Sequence, residues 1–315
     1  MKISILIPTC ERPKLFSECI NSCLVQSLMP DEIIVGDDSK SDSTFNAIES
    51  IDWPPNVTLL YNRNSPGLGQ AANVNNLFNL ANGDKVLLIH DDDMLLPNTL
   101  ETLAGCFEAE PSIDVAFGKQ YIMTDNGEVS LSRSRFYNKS FYRSKEYEGL
   151  NKLTSLEAGM SQQFPNNAFL IRTELARELR YRNIKDACDF DFGLRLGLTG
   201  AKMYFKDHYV AKYRISDVSV SKSQTNDSAL YAFREIEKLP VPAKSLGIKL
   251  KWLKDRAGVA VGQSISTENY EAASQLFYSK YHLPKIFTIG GIKRFIRLCI
   301  LGMRAGKTAN QKVGY

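Results

Sequence analysis

Over the first 120 residues, short uninterrupted apolar runs alternate with longer stretches in which apolar residues recur at helical spacing. ISILI (3–7), EIIVG (32–36), VTLLY (57–61), KVLLI (85–89) and IDVAF (113–117) are the runs, and continuous β-branched segments of this length predict strands buried on both faces. Between the first two, Leu15, Cys19, Cys23, Leu24 and Leu28 fall on one helical face,. The stretch from Leu68 to Leu80 does the same and stops at Asn82-Gly83. Pro97 suits the first turn of the next helix, and Glu101 supplies an acidic start,. A βαβα series of this kind predicts an α/β fold, with a Rossmann-like, mostly parallel sheet and helices on both faces.

The pattern then changes. YIMTDNGEVSL reads as a hairpin turning on Asp125-Asn126-Gly127,. Residues 132–149 mix Arg and Lys with Phe and Tyr without a clean period, which predicts a mobile loop over a substrate cleft. A strand at 167–172, a helix at 173–180, a second helix through ACDFDFGLRLG and two strands, AKMYFK and YVAKYRI, complete the series. The Ser/Asp-rich stretch 216–228 is the best boundary, giving a domain over 1–221, with halves 1–125 and 126–221, and a helical region over 222–315. That region contains KIFTIGGIKRFIRLCILGMRAGK (285–307). A basic amphipathic segment of this type either lies on anionic lipid as a peripheral contact or docks on its own domain with its bases in solvent.

Composition narrows the classes. The 315 residues are 43% hydrophobic and 23% charged, as expected of a folded globular chain. A net charge of +4 gives no basic face for nucleic acid, so nucleic acid is excluded as a partner. The six cysteines show no metal or redox spacing and read as reduced structural thiols,. No stretch reaches the roughly 18 apolar residues of a membrane span. The start, MKISILIPTC, is interrupted too early for a signal-peptide core, which predicts a cytosolic protein.

Ligands of parallel α/β sheets sit at the carboxyl ends of the strands. There the chain places PTCERP, DDSKSD, NRNSPGLGQ and HDDD, after the first, second, third and fourth runs. Asp37 could accept the N3–H of a uracil or thymine ring, or form a solvated turn ahead of a helix. The HDDD cluster (90–93) is either a solvated turn or a divalent-metal site, since Mg²⁺ or Mn²⁺ takes one or two carboxylates and completes its sphere with substrate phosphate oxygens. SPGLGQAAN resembles a phosphate cradle ahead of a helix. It matches neither the dinucleotide fingerprint nor the P-loop, and the turn after the first strand holds PTCERP, which excludes dehydrogenase and ATPase readings.

In the order ILIPTCERP, PDEIIVGDDSKSDST, GLGQAAN, LANGD and VLLIHDDDMLLP, the chain resembles an inverting family-two glycosyltransferase with the GT-A fold. The likeness is close over residues 1 to 125 and looser to 221, through NNAFLIRTEL, DACDFDFGLRL and YRISDVSVS. It implies transfer of a sugar from a nucleotide diphosphate, uridine-linked by preference or thymidine-linked, to a hydroxyl of a glycan or lipid-linked glycan. The cytosolic start and basic tail fit a bacterial enzyme of surface-polysaccharide synthesis, working at the inner face of the membrane. The residues implied to bind the nucleotide-sugar are Pro8, Thr9, Glu11, Arg12, Asp37, Asp38, Asn64, Gly67, Asn75 and Asp91. Asp92, with Asp93 or Asp217 as further ligands, is implied to hold Mn²⁺ or Mg²⁺. Asp189 is implied to be the catalytic base, with Asp191 the alternative and Asp186 a third.

Three departures bear on that reading. His90 stands where many members have an acidic residue, so its role is open. Val74 occupies a position often held by arginine, leaving Arg63 or Arg12 to supply the charge. After Tyr213-Arg214 the family often has a histidine; here Ser216 or Asp217 would substitute. Two other functions stay open: a nucleotidyltransferase, which would want a basic Gly-rich loop after the first strand, and a non-catalytic binding protein on a decayed transferase fold, motivated by Val74 and Cys188.

Overall fold

The computed structural model describes residues 1–215 and 227–312. It divides into a sheet-bearing unit (Met1–Ile184 with Cys188–Asp217) and a helical unit (Lys185–Ala187 with Val218–Tyr315). The boundary expected between 221 and 222, and with it Ser216 and Asp217, lies outside the described residues.

In the first unit, β1 (Ile3–Thr9), α1 (Pro13–Cys23), β2 (Glu32–Asp37), α2 (Ser43–Glu49), β3 (Thr58–Arg63), α3 (Gln70–Leu80) and β4 (Lys85–Leu88) follow the alternation of the sequence. The short β5 (Met94–Leu95), α4 (Thr99–Ala109), β6 (Val115–Met123), α5 (Leu131–Ser140), β7 (Gly149–Leu150) and α6 (Ser155–Met160) come next. β8 (Phe169–Arg172), α7 (Thr173–Leu179), α8 (Cys188–Leu198) and β9 (Met203–Arg214) complete it. The sheet order is β3-β2-β1-β4-β8-β6-β9-β5, with β7 beside β9. β3, β2, β1 and β4 are mutually parallel. β8 then enters between β4 and β6, antiparallel to both, and β6 pairs with β9 in parallel.

Successive side chains of a strand point to opposite faces. Ile3, Ile5 and Ile7 of β1, with Ile33 and Val35 of β2, therefore share one face, packed with Phe16, Cys19 and Ile20 of α1 and Leu100 and Leu103 of α4. α3 lies against β1 and β2 and buries Val74, Leu77 and Phe78. Cys19, Cys23, Cys106 and Cys188 are buried free thiols, while Cys10 and Cys299 are exposed. Pro97 falls just before α4, which starts at Thr99.

Three elements differ from the expectation. β3, expected to be buried on both faces, is the edge strand of the sheet, and none of its six residues from Thr58 to Arg63 is buried. Where AKMYFK and YVAKYRI predict two strands, β9 is continuous, because its polar middle bulges against β6. The pairing steps from Phe117↔Phe205 to Lys119↔Tyr209, and a Cβ on Gly118 would lie 2.6 Å from the His208 carbonyl. Where 132–149 predicts a mobile loop, α5 forms. Its buried side chains are Ser134 and Asn138, so its inward face is polar and carries no hydrophobic period. β8 pairs with β6 only over Val115–Phe117. Beyond it, Gln120 N–H donates to Asn138 Oδ1 at 3.1 Å, Ile122 N–H donates to Ser134 Oγ at 2.8 Å, and Asn138 Nδ2 donates to the Gln120 carbonyl at 2.8 Å. The helix thus replaces a missing neighbouring strand. Asn138→Ala leaves a buried donor and acceptor unpaired and should lower stability by about 2–3 kcal/mol, read from the urea midpoint.

The helical unit contains α9 (Ser228–Lys238), α10 (Leu246–Ser266), α11 (Tyr270–Phe277) and α12 (Ile289–Lys312). Its core includes Phe233, Ile236, Leu253, Val261 and Phe277. Among the described residues no helix is long and apolar enough to cross a membrane.

Candidate active site

Three strand ends and two helix starts build the site. Thr9 ends β1 in register with Asp37 at the end of β2. Just past β4 the chain makes a tight turn, with Asp93 N–H donating to the His90 carbonyl at 3.1 Å. The start of α1 contributes Arg12, and the first turn of α8 contributes Asp189.

The aspartates of HDDD have separate partners. Asp91, 5% exposed, accepts from Thr9 Oγ1 at 2.8 Å and faces Arg12 Nη1 at 3.3 Å. Burial raises its pKa, and Arg12 opposes the rise. Asp92 is more open and lies 3.1 Å from the same Arg12 nitrogen. Asp93 is buried and accepts from Arg214 N–H at 2.7 Å and from Asn167 Nδ2. Burial, then repulsion from Asp92, pushes its pKa up to about 8. Arg214 clamps the turn from behind, donating to the Asp92 carbonyl at 2.8 Å and pairing with Glu18 at 2.6 Å.

His90 turns toward α8, with Nε2 3.7 Å from Asp189 Oδ1. That is an ion-pair distance but too long for a hydrogen bond, and both atoms are buried without a hydrogen-bond partner. Burial works against the imidazolium, but Asp189, then Asp93, Asp92 and Asp91 outweigh it and raise the pKa of His90. Burial likewise raises Asp189, against the pull of His90. Asp189 Oδ2 accepts from Gln70 Nε2 at 3.3 Å. The Tyr181 hydroxyl also faces this carboxylate, and its pKa is pushed up by burial and by Asp189.

One ligand atom each from His90, Asp92 and Asp93 lie within 4.8 Å of one another. An imidazole nitrogen with carboxylate oxygens suits Mn²⁺, and the carboxylates alone suit Mg²⁺. Both Asp93 oxygens already accept bonds, so Asp92 and His90 have the free capacity. The unpartnered His90 Nε2 fits such a set.

The other expected residues are placed as follows. Asp37 is fully buried, and its two oxygens accept from Ser39 N–H and the Tyr61 hydroxyl, each at 2.8 Å. Asp38 accepts from Leu68 N–H at 3.1 Å, Gly69 N–H at 2.8 Å and Asn64 Nδ2 at 2.8 Å. Two of the amides that SPGLGQAAN would offer a phosphate, those of Leu68 and Gly69, are therefore held by Asp38, and Gly67 lets the loop close, since a Cβ there would lie 3.1 Å from the Asp38 carbonyl. Glu11, at φ 54°, bonds to Lys40 N–H and the Ser41 hydroxyl, tying the β1 and β2 loops together. Pro8 is a β1 residue opposite Gly36. Asn75 faces the Tyr181 backbone, accepting from its N–H at 2.7 Å and donating to its carbonyl at 2.8 Å. Val74 is fully buried and therefore points into the core. Arg63 pairs with Asp42; Arg12 is the arginine brought to the carboxylates.

Asp191 is 3% exposed and bonds Arg195 at 2.6 Å, and Asp186 belongs to the segment grouped with the helical unit. Asp191→Asn should lower stability by roughly 3 kcal/mol by leaving Arg195 without its counter-charge. Thermal unfolding reads that loss, and the turnover of the folded enzyme should stay unchanged. Tyr181, Tyr61, Asn167 and Glu18 join the site with no local motif announcing them, and Gln70 comes from within the Gly-rich stretch 65–73.

Residues 4–164 match the family model described as glycosyl transferase family 2. An uncharacterized protein of Mycobacterium tuberculosis is 31% identical over 208 residues, covering 63% of this chain and 63% of its own length. The GalNAc(5)-diNAcBac-PP-undecaprenol β-1,3-glucosyltransferase of Campylobacter jejuni is 32% identical over 102 residues, or 32% of this chain and 33% of its own. Among solved structures, Staphylococcus aureus TarS 1–349 in complex with UDP superposes with a TM-score of 0.61 at 18% identity, covering 97% of this chain and 92% of that one.

Proposed function

Because the chain belongs to glycosyl transferase family 2 and is a glycosyltransferase, we propose that it moves a sugar from a uridine or thymidine diphosphate donor, with inversion, to a hydroxyl of a glycan or lipid-linked glycan. The observation that carries the reading is the meeting of three parts at the carboxyl ends of β1 and β4: the Asp91–Asp92 pair, the Arg12 guanidinium on both of them, and Asp189 Oδ1 buried without a hydrogen-bond partner. The undecaprenyl-linked acceptor named for the Campylobacter relative and the UDP bound to TarS point the same way.

Asp189 takes the proton of the acceptor hydroxyl through Oδ1 as that oxygen attacks the anomeric carbon. The bond to the diphosphate breaks on the opposite face, so no covalent intermediate forms and the configuration inverts. Its raised pKa makes Asp189 a stronger base than an exposed aspartate. Gln70 orients the carboxylate, and the His90 ring faces it with Nε2 3.7 Å from Oδ1. Arg12 supplies positive charge where the diphosphate departs, in place of the arginine absent at Val74. Asp91 takes the ribose side, and Thr9 and Arg12 hold it there. Asp92, with His90 beside it, would hold Mn²⁺ or Mg²⁺, which as a Lewis acid stabilises the leaving diphosphate.

A thermal-shift panel of nucleotide-sugars tests the donor. A uridine or thymidine diphosphate ligand at about a hundred times its Kd should raise Tm by roughly 5 °C, and by less without Mn²⁺. If guanosine or cytidine ligands stabilise the protein and neither of these does, the donor assignment is wrong.

A further inference from the structure

The last helix is apolar on the wrong side for a helix in water. α12 packs on α10 and α11, burying Leu298 and Leu301 and setting Phe295 against Phe277 at 5.8 Å. A surface helix so docked should present polar residues outward. Instead Ile289, Ile292, Ile296, Ile300 and Met303, spaced three and four apart on the opposite face, are between 42% and 77% exposed, and Phe287 just before the helix is 92% exposed. At 100° per residue, exposed Lys293 and Arg297 run along one flank of this stripe,. Residues 285–307 carry six bases (Lys285, Lys293, Arg294, Arg297, Arg304, Lys307) and no Asp or Glu.

We propose that this face is a docking surface for an anionic phospholipid bilayer. The helix lies in the interface plane, with its aliphatic stripe and Phe287 in the headgroup–acyl boundary and Lys293 and Arg297 on lipid phosphates. Charge selects this occupant. A second copy would bring another stretch of bases and no acids against the first, whereas an anionic surface complements them. Spanning is excluded for this helix, which is not long and apolar enough to cross. The two faces of α12 thus do different work, the inner one joining the helical unit and the outer one holding it to lipid. None of its residues takes part in the donor or acceptor chemistry, so it survives or fails independently of the transfer reaction.

Co-sedimentation of the full chain with vesicles tests it. The protein should bind vesicles of phosphatidylcholine with phosphatidylglycerol, bind phosphatidylcholine alone far less, and lose binding in about 0.5 M salt, where charges are screened within a few ångströms. Ile296→Asp with Ile300→Asp should weaken binding at least tenfold by about two large side chains' worth of burial. Lys293→Glu with Arg297→Glu should weaken it by more than roughly fivefold per base. All four residues are exposed, so Tm and nucleotide binding should not change; the charge-reversal pair keeps the test decisive if the isoleucine pair fails to fold. Absence of wild-type binding would overturn the proposal, as would binding indifferent to both lipid charge and these variants. A wild-type dimer that the isoleucine pair converts to monomer would overturn it in favour of a second copy.

Discussion

Asp189→Asn is expected to lower sugar transfer by about 10²–10⁴-fold, the usual contribution of a positioned general base, while leaving binding of the nucleotide and metal intact. The carboxamide is nearly isosteric, and its oxygen can still accept from Gln70, which now reaches Asp189 Oδ2 at 3.3 Å. What disappears is the second oxygen, the one without a hydrogen-bond partner, and with it the ability to take a proton. Loss of that oxygen also removes the negative charge opposite His90 Nε2; the pKa of His90 should therefore fall, since Asp189 is the strongest of the carboxylates raising it. The titration is visible by NMR of the ring protons. Arg12, Asp91 and Asp92 are untouched, so the thermal shift given by a nucleotide diphosphate with Mn²⁺ should match that of the wild type. Transfer reduced less than tenfold would move the base elsewhere, and loss of nucleotide binding alongside transfer would make Asp189 structural. Wild-type turnover itself removes the reading of a decayed scaffold that Val74 and Cys188 suggested, both of which are simply buried.

The strands of the first half were legible because β1, β2 and β4 lie in uninterrupted apolar runs, and both-face burial needs no partner to be recognised. The insertion of β8 between β4 and β6 was not, because pairing order is a long-range property: Val86 meets Ile171 across 85 positions. α5 escaped detection since its docking groups are Ser134 and Asn138, which bond to a strand edge and leave no apolar stripe. In the site, the strand-end aspartates announced themselves through charge repulsion that something must relieve. Their partners did not, because they arrive from far along the chain: Asn167 reaches Asp93 over 74 residues and Gln70 reaches Asp189 over 119. In SPGLGQAAN, too, the partner comes from a distant segment. A glycine-rich loop shows how many amides are available, and only the structure shows that Asp38 already holds two of them.

Replacing Asp92 by asparagine should abolish the Mn²⁺-dependent part of the nucleotide thermal shift and lower transfer by roughly 10²–10³-fold, since Lewis-acid stabilisation contributes several kcal/mol and each decade is 1.36 kcal/mol. Asp92 is the carboxylate that can be lost this way. Asp93 accepts from Arg214 and Asn167 with both oxygens, so Asp93→Asn should act on the turn and on stability first. Asp91 is held by Thr9 and Arg12. Arg12 supplies a control of opposite sign. Its guanidinium sits 3.1 Å from the Asp92 oxygen and competes with any second cation for it. Arg12→Ala should therefore tighten Mn²⁺ binding in the absence of donor, by about tenfold for a partly exposed pair of like charges brought together, while slowing transfer because the diphosphate loses a positive partner. Electron paramagnetic resonance titration of free Mn²⁺ reads both variants without any turnover. If Asp92→Asn still binds Mn²⁺ as the wild type does, the metal lies elsewhere; if Arg12→Ala weakens metal binding, the arginine supports the site instead of competing for it. An unfolded protein would weaken metal binding in both variants, so opposite signs report the charge at the Asp91–Asp92 pair that Arg12 faces.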